Sequence, residues 1–238
     1  MDDLKCILEE AGIALTDRAL RGLSVYRDLL LDWNQRMDLT SVSEKDVAAR
    51  HFGDSLSPLR VDGLFPPDVR VIDVGTGAGF PGLPIAIARP DLNVTLLEAQ
   101  GKRCHFLNAV KERLSLDNVT VINDRAEVLG RAKGHREGYD RALARAVAPL
   151  NVLCEYLLPF VRAGGKALCW KGPAVAEEWA DGQAAAEKLG GEAEEPIVLP
   201  QGDTNHVVIP IRKIQETLPQ FPRKNGMPAK RPLRADKK

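Results

Sequence analysis

Four glycines within eight residues, Gly75, Gly77, Gly79 and Gly82, follow directly on the apolar, β-branched run at residues 69–74. A run of that length without helical periodicity reads as a buried parallel strand. Glycine has no Cβ and tolerates positive φ, so a chain so rich in it can turn sharply and press its backbone against a ligand. Pro84 stands where an N1 proline would open a helix, and residues 85–89 continue that helix until Pro90. Strand, glycine loop and helix in that order make the first βα unit of a nucleotide-binding, doubly wound sheet.

Two cofactor classes compete for the loop. Gly77-Ala-Gly-Phe-Pro-Gly82 spells G-x-G-x-x-G, and Glu98 follows at the end of the next strand, as in a dinucleotide site. Asp73, Gly75, Gly77 and Gly79 instead spell the D/E-x-G-x-G-x-G signature of S-adenosylmethionine methyltransferases. Register favours the second, because Gly75 precedes the triplet by two residues while Asp73 is still on the strand. A dinucleotide strand would run straight into the first glycine of its triplet.

Downstream, the chain alternates. Strands are expected at residues 93–98, 119–122, 139–147 and 166–170, with helices at 102–114, 150–161 and 175–189; Gly164-Gly165 is taken as the stop of the second of these helices. Residues 197–199 and 206–211 are two strands joined by about six residues, too few for a parallel crossover, so they form an antiparallel hairpin. A mostly parallel seven-stranded sheet closed by an antiparallel hairpin is the Rossmann-like class I methyltransferase arrangement. Upstream, residues 2–32 read as two helices broken at Gly12, the second capped by Thr16. Residues 34–40 form a loop, and a further helix carries His51 and Asp54 on one face. The expected division is an N-terminal helical extension at 1–66, a methyltransferase domain at 67–213 and a basic, proline-rich tail at 214–238.

The formal net charge is zero, but residues 223–238 hold seven basic side chains against Asp236 alone. A basic tail on an acidic body fits a polyanionic partner or, more blandly, a solvated terminus. Cys6, Cys104, Cys154 and Cys169 are scattered with no C-x-x-C, so neither a metal site nor a disulfide framework is expected. Met1-Asp-Asp is acidic where a secretory leader is basic, and no eighteen-residue apolar run exists. A cytoplasmic monomer with no membrane contact is expected.

At the strand tips, Glu98 is placed to accept ribose hydroxyls, and the loop after the third strand, with Ala126 and Glu127, is placed to hold adenine. The fourth strand leads into Arg145-Ala-Val-Ala-Pro149 and not into the N-P-P-Y type of turn that holds an exocyclic amine. Cys154 and Cys169 fall inside a helix and a strand, where neither serves as the nucleophile that pyrimidine C5 chemistry needs. A ring nitrogen with its own lone pair, such as guanine N7, needs neither device, and Arg145 offers it a fixed charge.

The sequence resembles the glucose-inhibited division protein B family, the ribosomal RNA small-subunit methyltransferases G. The resemblance rests on Trp33-Asn, Asp38-Leu-Thr, Arg50-His-x-x-Asp-Ser-Leu56, the glycine loop, Gly101-Lys-Arg, Arg125-Ala-Glu127, Arg145-Ala, Lys171-Gly172 and Phe221-Pro-Arg-Lys-x-Gly-x-Pro-Ala-Lys. It implies S-adenosylmethionine-dependent methylation of guanine N7 in 16S rRNA, at the nucleotide numbered 527, on the rRNA or the 30S subunit. It also implies cofactor contacts at Gly75, Gly77, Phe80, Glu98, Ala126, Glu127 and Arg145, with Arg145 orienting the base or the cofactor. RNA contacts are expected at Lys102, Arg103, Lys171, Arg223, Lys224, Lys230 and Arg231. One departure stands out: Asp38 occupies a place where the family usually has Asn. Two other classes remain, a non-catalytic RNA-binding assembly factor that keeps the fold and, more distantly, a dinucleotide oxidoreductase.

Overall fold

The computed structural model describes residues 2–145, 148–172, 175–199 and 206–235. Helices α1 (Asp2–Glu10) and α2 (Asp17–Asn34) come first, and Thr16 Oγ1 caps α2 by accepting from Ala19 N at 3.2 Å. Short helical turns follow at Glu44–Asp46, Ala48–Gly53, α3 (Asp54–Leu56) and Ser57–Arg60. The alternating part then runs β1 (Arg70–Val74), α4 (Gly82–Ala88), β2 (Asn93–Glu98), α5 (Gly101–Leu114), β3 (Val119–Asn123), α6 (Ala126–Leu129), β4 (Tyr139–Arg145), α7 (Leu150–Leu157), β5 (Val161–Lys171) and α8 (Val175–Lys188). It ends in β6 (Gly191–Ala193), β7 (Ile197–Val198), β8 (Val207–Lys213) and the short α9 (Met227–Lys230).

The sheet order is β3-β2-β1-β4-β5-β8-β6, with β7 also on β8. β1 to β5 are parallel, and β8 is antiparallel to β5, β6 and β7. β6 meets β8 at residues 211–213 and β7 meets it at 207–208, so the two are pieces of one interrupted edge strand. The expected antiparallel hairpin is therefore present, while β6, three residues long, has too little apolar alternation to be read locally. The connection at residues 200–205 and the expected end of the fourth strand at 146–147 lie outside the described residues.

Alternate residues of each central strand face two cores. Val71, Val94, Leu96, Leu143, Leu168 and Trp170 pack with α2, α4 and α5, and the N-terminal Leu4, Leu23 and Phe52 belong to the same cluster. Ile72, Val74, Ala142, Cys169, Ile209 and Ile211 pack with α7 and α8 on the other face. A sheet buried on both faces accounts for strands that read as continuous apolar runs.

Several boundaries differ from expectation. Helix α4 begins at Gly82, so Pro84 is its third residue and not its first. The first turn has no intrahelical acceptor for its N–H groups, and a proline there sacrifices nothing. Helix α7 stops at Leu157, because Pro159 in the short turn that follows cannot donate back. Gly164 and Gly165 consequently sit inside β5, where the pairing slips between Tyr139↔Val161 and Arg141↔Lys166. Gly164 has φ +80°, and a Cβ on Gly165 would lie 2.7 Å from Asp140 O, so the pair forms a bulge that only glycine accommodates.

Gly82 joins the loop to the sheet by close contact. A Cβ there would meet Leu96 Cδ2 at 2.6 Å and Asp73 Cβ at 2.8 Å. Gly82→Ala should therefore lose about 1–3 kcal/mol of unfolding free energy, whereas Gly172→Ala, with nothing within 4 Å, should lose far less. Urea titration of both variants checks this. Equal losses would mean that the approach of α4 to β1 is loose.

Candidate active site at the carboxyl ends of β1, β2 and β4

Asp73 is the last but one residue of β1 and is wholly buried. Its Oδ2 accepts from Thr76 Oγ1 at 2.6 Å and from Gly82 N at 2.7 Å, tying strand, loop and helix together. Burial pushes its carboxyl up to about 6. Its Oδ1 is buried with no partner. From the other side Tyr26 of α2, also fully buried, donates to Ala78 O at 2.5 Å. Gly79 makes that approach possible, since its φ is +107° and a Cβ would stand 2.8 Å from Tyr26 Oη.

Glu98, at the end of β2, is buried and accepts from Gly77 N at 2.9 Å on Oε2 and from Gln100 N at 2.8 Å on Oε1. Each oxygen keeps a further lone pair, so the carboxylate can still receive two hydroxyls. A cleft of about 260 Å³ opens beside it, lined by Gly75, Glu98, Ala126, Glu127, Tyr156, Gly226 and others. Four of the seven expected cofactor residues thus face one cavity, and Gly77 joins them through its bond to Glu98. Among the described residues no cluster of metal-ligating side chains occurs.

Phe80 and Arg145 belong to a second cluster, next to the first because β4 pairs with β1. The Phe80 ring is buried, stacked on His51 at 4.3 Å between centroids and on Tyr26 at 5.4 Å, which leaves only its backbone for a ligand. The Arg145 guanidinium lies 5.0 Å above the Phe80 ring, donates to Asp54 Oδ2 at 2.9 Å and reaches His51 Nδ1 at 3.0 Å. An arginine only donates, so His51 Nδ1 is the acceptor, and its Nε2–H faces Thr40 Oγ1 at 2.7 Å. Burial first and Arg145 second hold the His51 imidazole down at about 3. Asp54 Oδ1 takes His206 Nδ1 at 2.9 Å, which raises the His206 pKa, and Asp54 O accepts the Trp170 indole N–H at 3.1 Å. A small pocket of about 100 Å³ lies between Arg145, Trp170, Lys171, Gly172 and His206.

Two of the expected RNA contacts are engaged elsewhere. Lys171 pairs with Glu178 at 2.7 Å and donates to Ala148 O, and Arg223 grips the buried Glu155 through Nη2 at 2.6 Å and Nε at 2.9 Å. Neither is a free surface cation, because each neutralises a neighbouring carboxylate. Lys102, Lys224, Lys230 and Arg231 are exposed, and Arg103 is half-buried near Gly77. Nor is the basic tail a loose arm over residues 214–235: Arg131 and Arg136 donate to the carbonyls of Thr217, Gln220, Phe221 and Pro222.

The model of the rRNA small subunit methyltransferase G family matches residues 19–207. The chain belongs to that family. The family's enzyme from Alkaliphilus oremlandii is 46% identical over 98% of this chain and 100% of its own length. That from Alkaliphilus metalliredigens is 44% identical over 97% and 98%. Among solved structures, a variant of the 16S rRNA (adenine(1408)-N(1))-methyltransferase from Catenulisporales acidiphilia superposes with a TM-score of 0.53 at 13% identity, over 64% of this chain and 88% of that one. That likeness is one of fold.

The family motifs upstream of the sheet acquire physical reasons here. Asn34 Oδ1 accepts from Leu39 N and Thr40 N, and its Nδ2 donates to Thr40 O, which fixes Thr40 beneath His51. Asp38 is exposed, so its departure from Asn leaves that loop intact. Tyr26, Thr40, Trp170 and His206 are site residues the sequence did not announce. Tyr26 sits in an ordinary apolar helical stripe, Trp170 in a strand, and no local spacing links Thr40 or His206 to Asp54.

Because His51 ionises near 6.5 when unfolded and near 3 when folded, the unfolded chain binds the extra proton between those values. Its contribution to stability is complete above pH 6.5 and is lost as pH falls toward 3. The stability advantage of the wild type over His51→Gln should therefore be constant from about pH 7 to 8 and shrink by up to about 1.4 kcal/mol per unit below 6. Urea unfolding at stepped pH checks this, and an advantage that grows on acidification would mean that His51 is charged in the fold.

Proposed function

We propose that this chain methylates N7 of a guanine in 16S rRNA, with S-adenosylmethionine as the donor and the guanine numbered 527 as the target. The observation that carries this reading is the pairing of two sites at adjacent strand tips. One is a cleft with buried acceptors, and the other is a cluster whose histidine is already committed. S-adenosylmethionine, when bound, supplies an electrophilic methyl group on sulfonium. Glu98 has lone pairs for both ribose hydroxyls, the buried Asp73 Oδ1 is an acceptor without a donor beside that site, and the Ala126 and Glu127 loop holds the base of the cofactor.

Guanine N7 presents an in-plane lone pair and carries no proton at neutral pH. The protein then has only to align acceptor and methyl and to hold the acceptor guanine against the Arg145, Trp170 and His206 pocket. His51 is not a base for this reaction, since Arg145 occupies its only lone pair. Cys154 and Cys169 are not available as nucleophiles either. Both are buried, and burial pushes the Cys169 thiol up to about 12. The substrate is the rRNA or the 30S particle, met by a monomer in the cytoplasm; among the described residues no helix is long and apolar enough to cross a membrane.

Two outcomes are expected. Glu98→Ala removes a charged acceptor, worth about 1.5–3 kcal/mol, and should weaken S-adenosylmethionine roughly ten- to a hundredfold in isothermal titration; unchanged affinity would move the ribose elsewhere. A wild type that binds no S-adenosylmethionine would favour the non-catalytic assembly factor. Single-turnover methylation should be flat between about pH 7 and 9, above the Asp73 ionisation. A rate rising tenfold per pH unit there would mean that a base is required and that the target is not N7.

A further inference from the structure

The segment after β8 is folded back against the cofactor cleft by a series of side-chain contacts. Lys213, itself buried, donates to Leu158 O at 2.7 Å and to Thr217 Oγ1, and lies 3.2 Å from Glu137. Arg136 then takes Thr217 O at 2.6 Å and Phe221 O at 2.7 Å, while Arg131 takes Gln220 O and Pro222 O, both at 2.8 Å. The chain next sinks Arg223 onto Glu155 of α7. That carboxylate has no exposed surface, and it accepts from Arg223 N, Nε and Nη2. Three residues later Gly226 N donates to Glu127 Oε1 at 2.8 Å, and Gly226 and Ala229 line the same cleft as Glu98.

A tail that served only as a solvated cation would not place its first arginine against a buried acid. Glu155 would be an uncompensated buried charge without Arg223, so the closed position of the segment is coupled to the integrity of α7. Gly226, at φ +76°, turns its N–H onto Glu127, an angle that other residues adopt only with strain. The segment therefore lines the cleft through Gly226 and Ala229 and also holds the Glu127 carboxylate that lines it.

We propose that residues 223–230 are a wall of the adenosine pocket and that the Glu155–Arg223 pair is the positioning latch that holds it shut. This rests on the reading of the cleft as the S-adenosylmethionine site. Glu155 does not line the cleft, so it acts through Arg223 and Gly226. The exposed Lys224, Lys230 and Arg231 are then the outer face of the same wall.

Isothermal titration of S-adenosylmethionine into the full chain tests this, with thermal unfolding and steady-state methylation alongside. Ala229→Leu enlarges an exposed side chain facing the cleft. It should weaken binding roughly tenfold or more while leaving Tm unchanged. Arg223→Gln should raise KM for the cofactor at constant kcat, and Arg223→Lys, which keeps one ion pair, should recover part of the loss. If the wild type binds and Ala229→Leu binds within twofold of it, the wall is absent and the overturned claim is this one alone. If the wild type itself does not bind, the reading of the cleft falls first. Should Arg223→Gln fail to fold, Ala229→Leu decides alone.

Discussion

The buried carboxylate of Asp73 is the point on which the site depends. One of its oxygens joins residues 73, 76 and 82 into a closed loop, and it does so only because Gly82 carries no Cβ to hold α4 away from β1. Tyr26 grips the same loop from outside through Ala78 O. The N-terminal helices thus share a core with the sheet and also set the shape of the glycine loop. The second Asp73 oxygen is buried and has no hydrogen-bond partner, and burial raises the pKa of the group to about 6. A buried acceptor left unmet is costly, and in the proposed reading the cofactor provides the missing donor.

Asp54 organises the neighbouring cluster in a similar way. Both of its carboxylate oxygens and its backbone carbonyl are engaged, by Arg145, His206 and Trp170 respectively. These partners come from β4, the residue before β8, and β5, so one acid in the N-terminal part collects three strand ends. The result is a fixed positive charge above Phe80 beside a neutral histidine with no free lone pair. Such a site can orient and attract an electron-rich base, and it offers little for abstracting a proton. In the proposed reading that asymmetry suits a ring nitrogen with its own lone pair better than a carbon or an exocyclic amine.

The parts of the fold that could be read from the sequence are those with local causes. Strand, glycine loop and helix were legible because period and composition change within a few residues, and Thr16 announced its cap by type and place. Gly164-Gly165 misled because a glycine pair marks a helix stop and a strand bulge equally well, and only the pairing of β5 with β4 separates them. The cleft was legible for Gly75, Glu98, Ala126 and Glu127, since strand tips in a parallel sheet converge on one edge. The Asp54 cluster was not, because Thr40, His51, Arg145 and His206 meet across 166 residues of sequence. The charge of the tail is visible in the sequence, whereas its docking depends on Glu155, Arg131, Arg136 and Glu127, which no local pattern links to it.

The most direct test of the account uses S-adenosylmethionine carrying a deuterated methyl group. The chain is incubated with it and with small ribosomal subunits that lack the modification, and the 16S rRNA is digested to nucleosides for mass spectrometry. The label is expected in 7-methylguanosine alone. Label in an N2- or O-methylated nucleoside would contradict the proposed acceptor atom, and no label with bound cofactor would contradict catalysis itself.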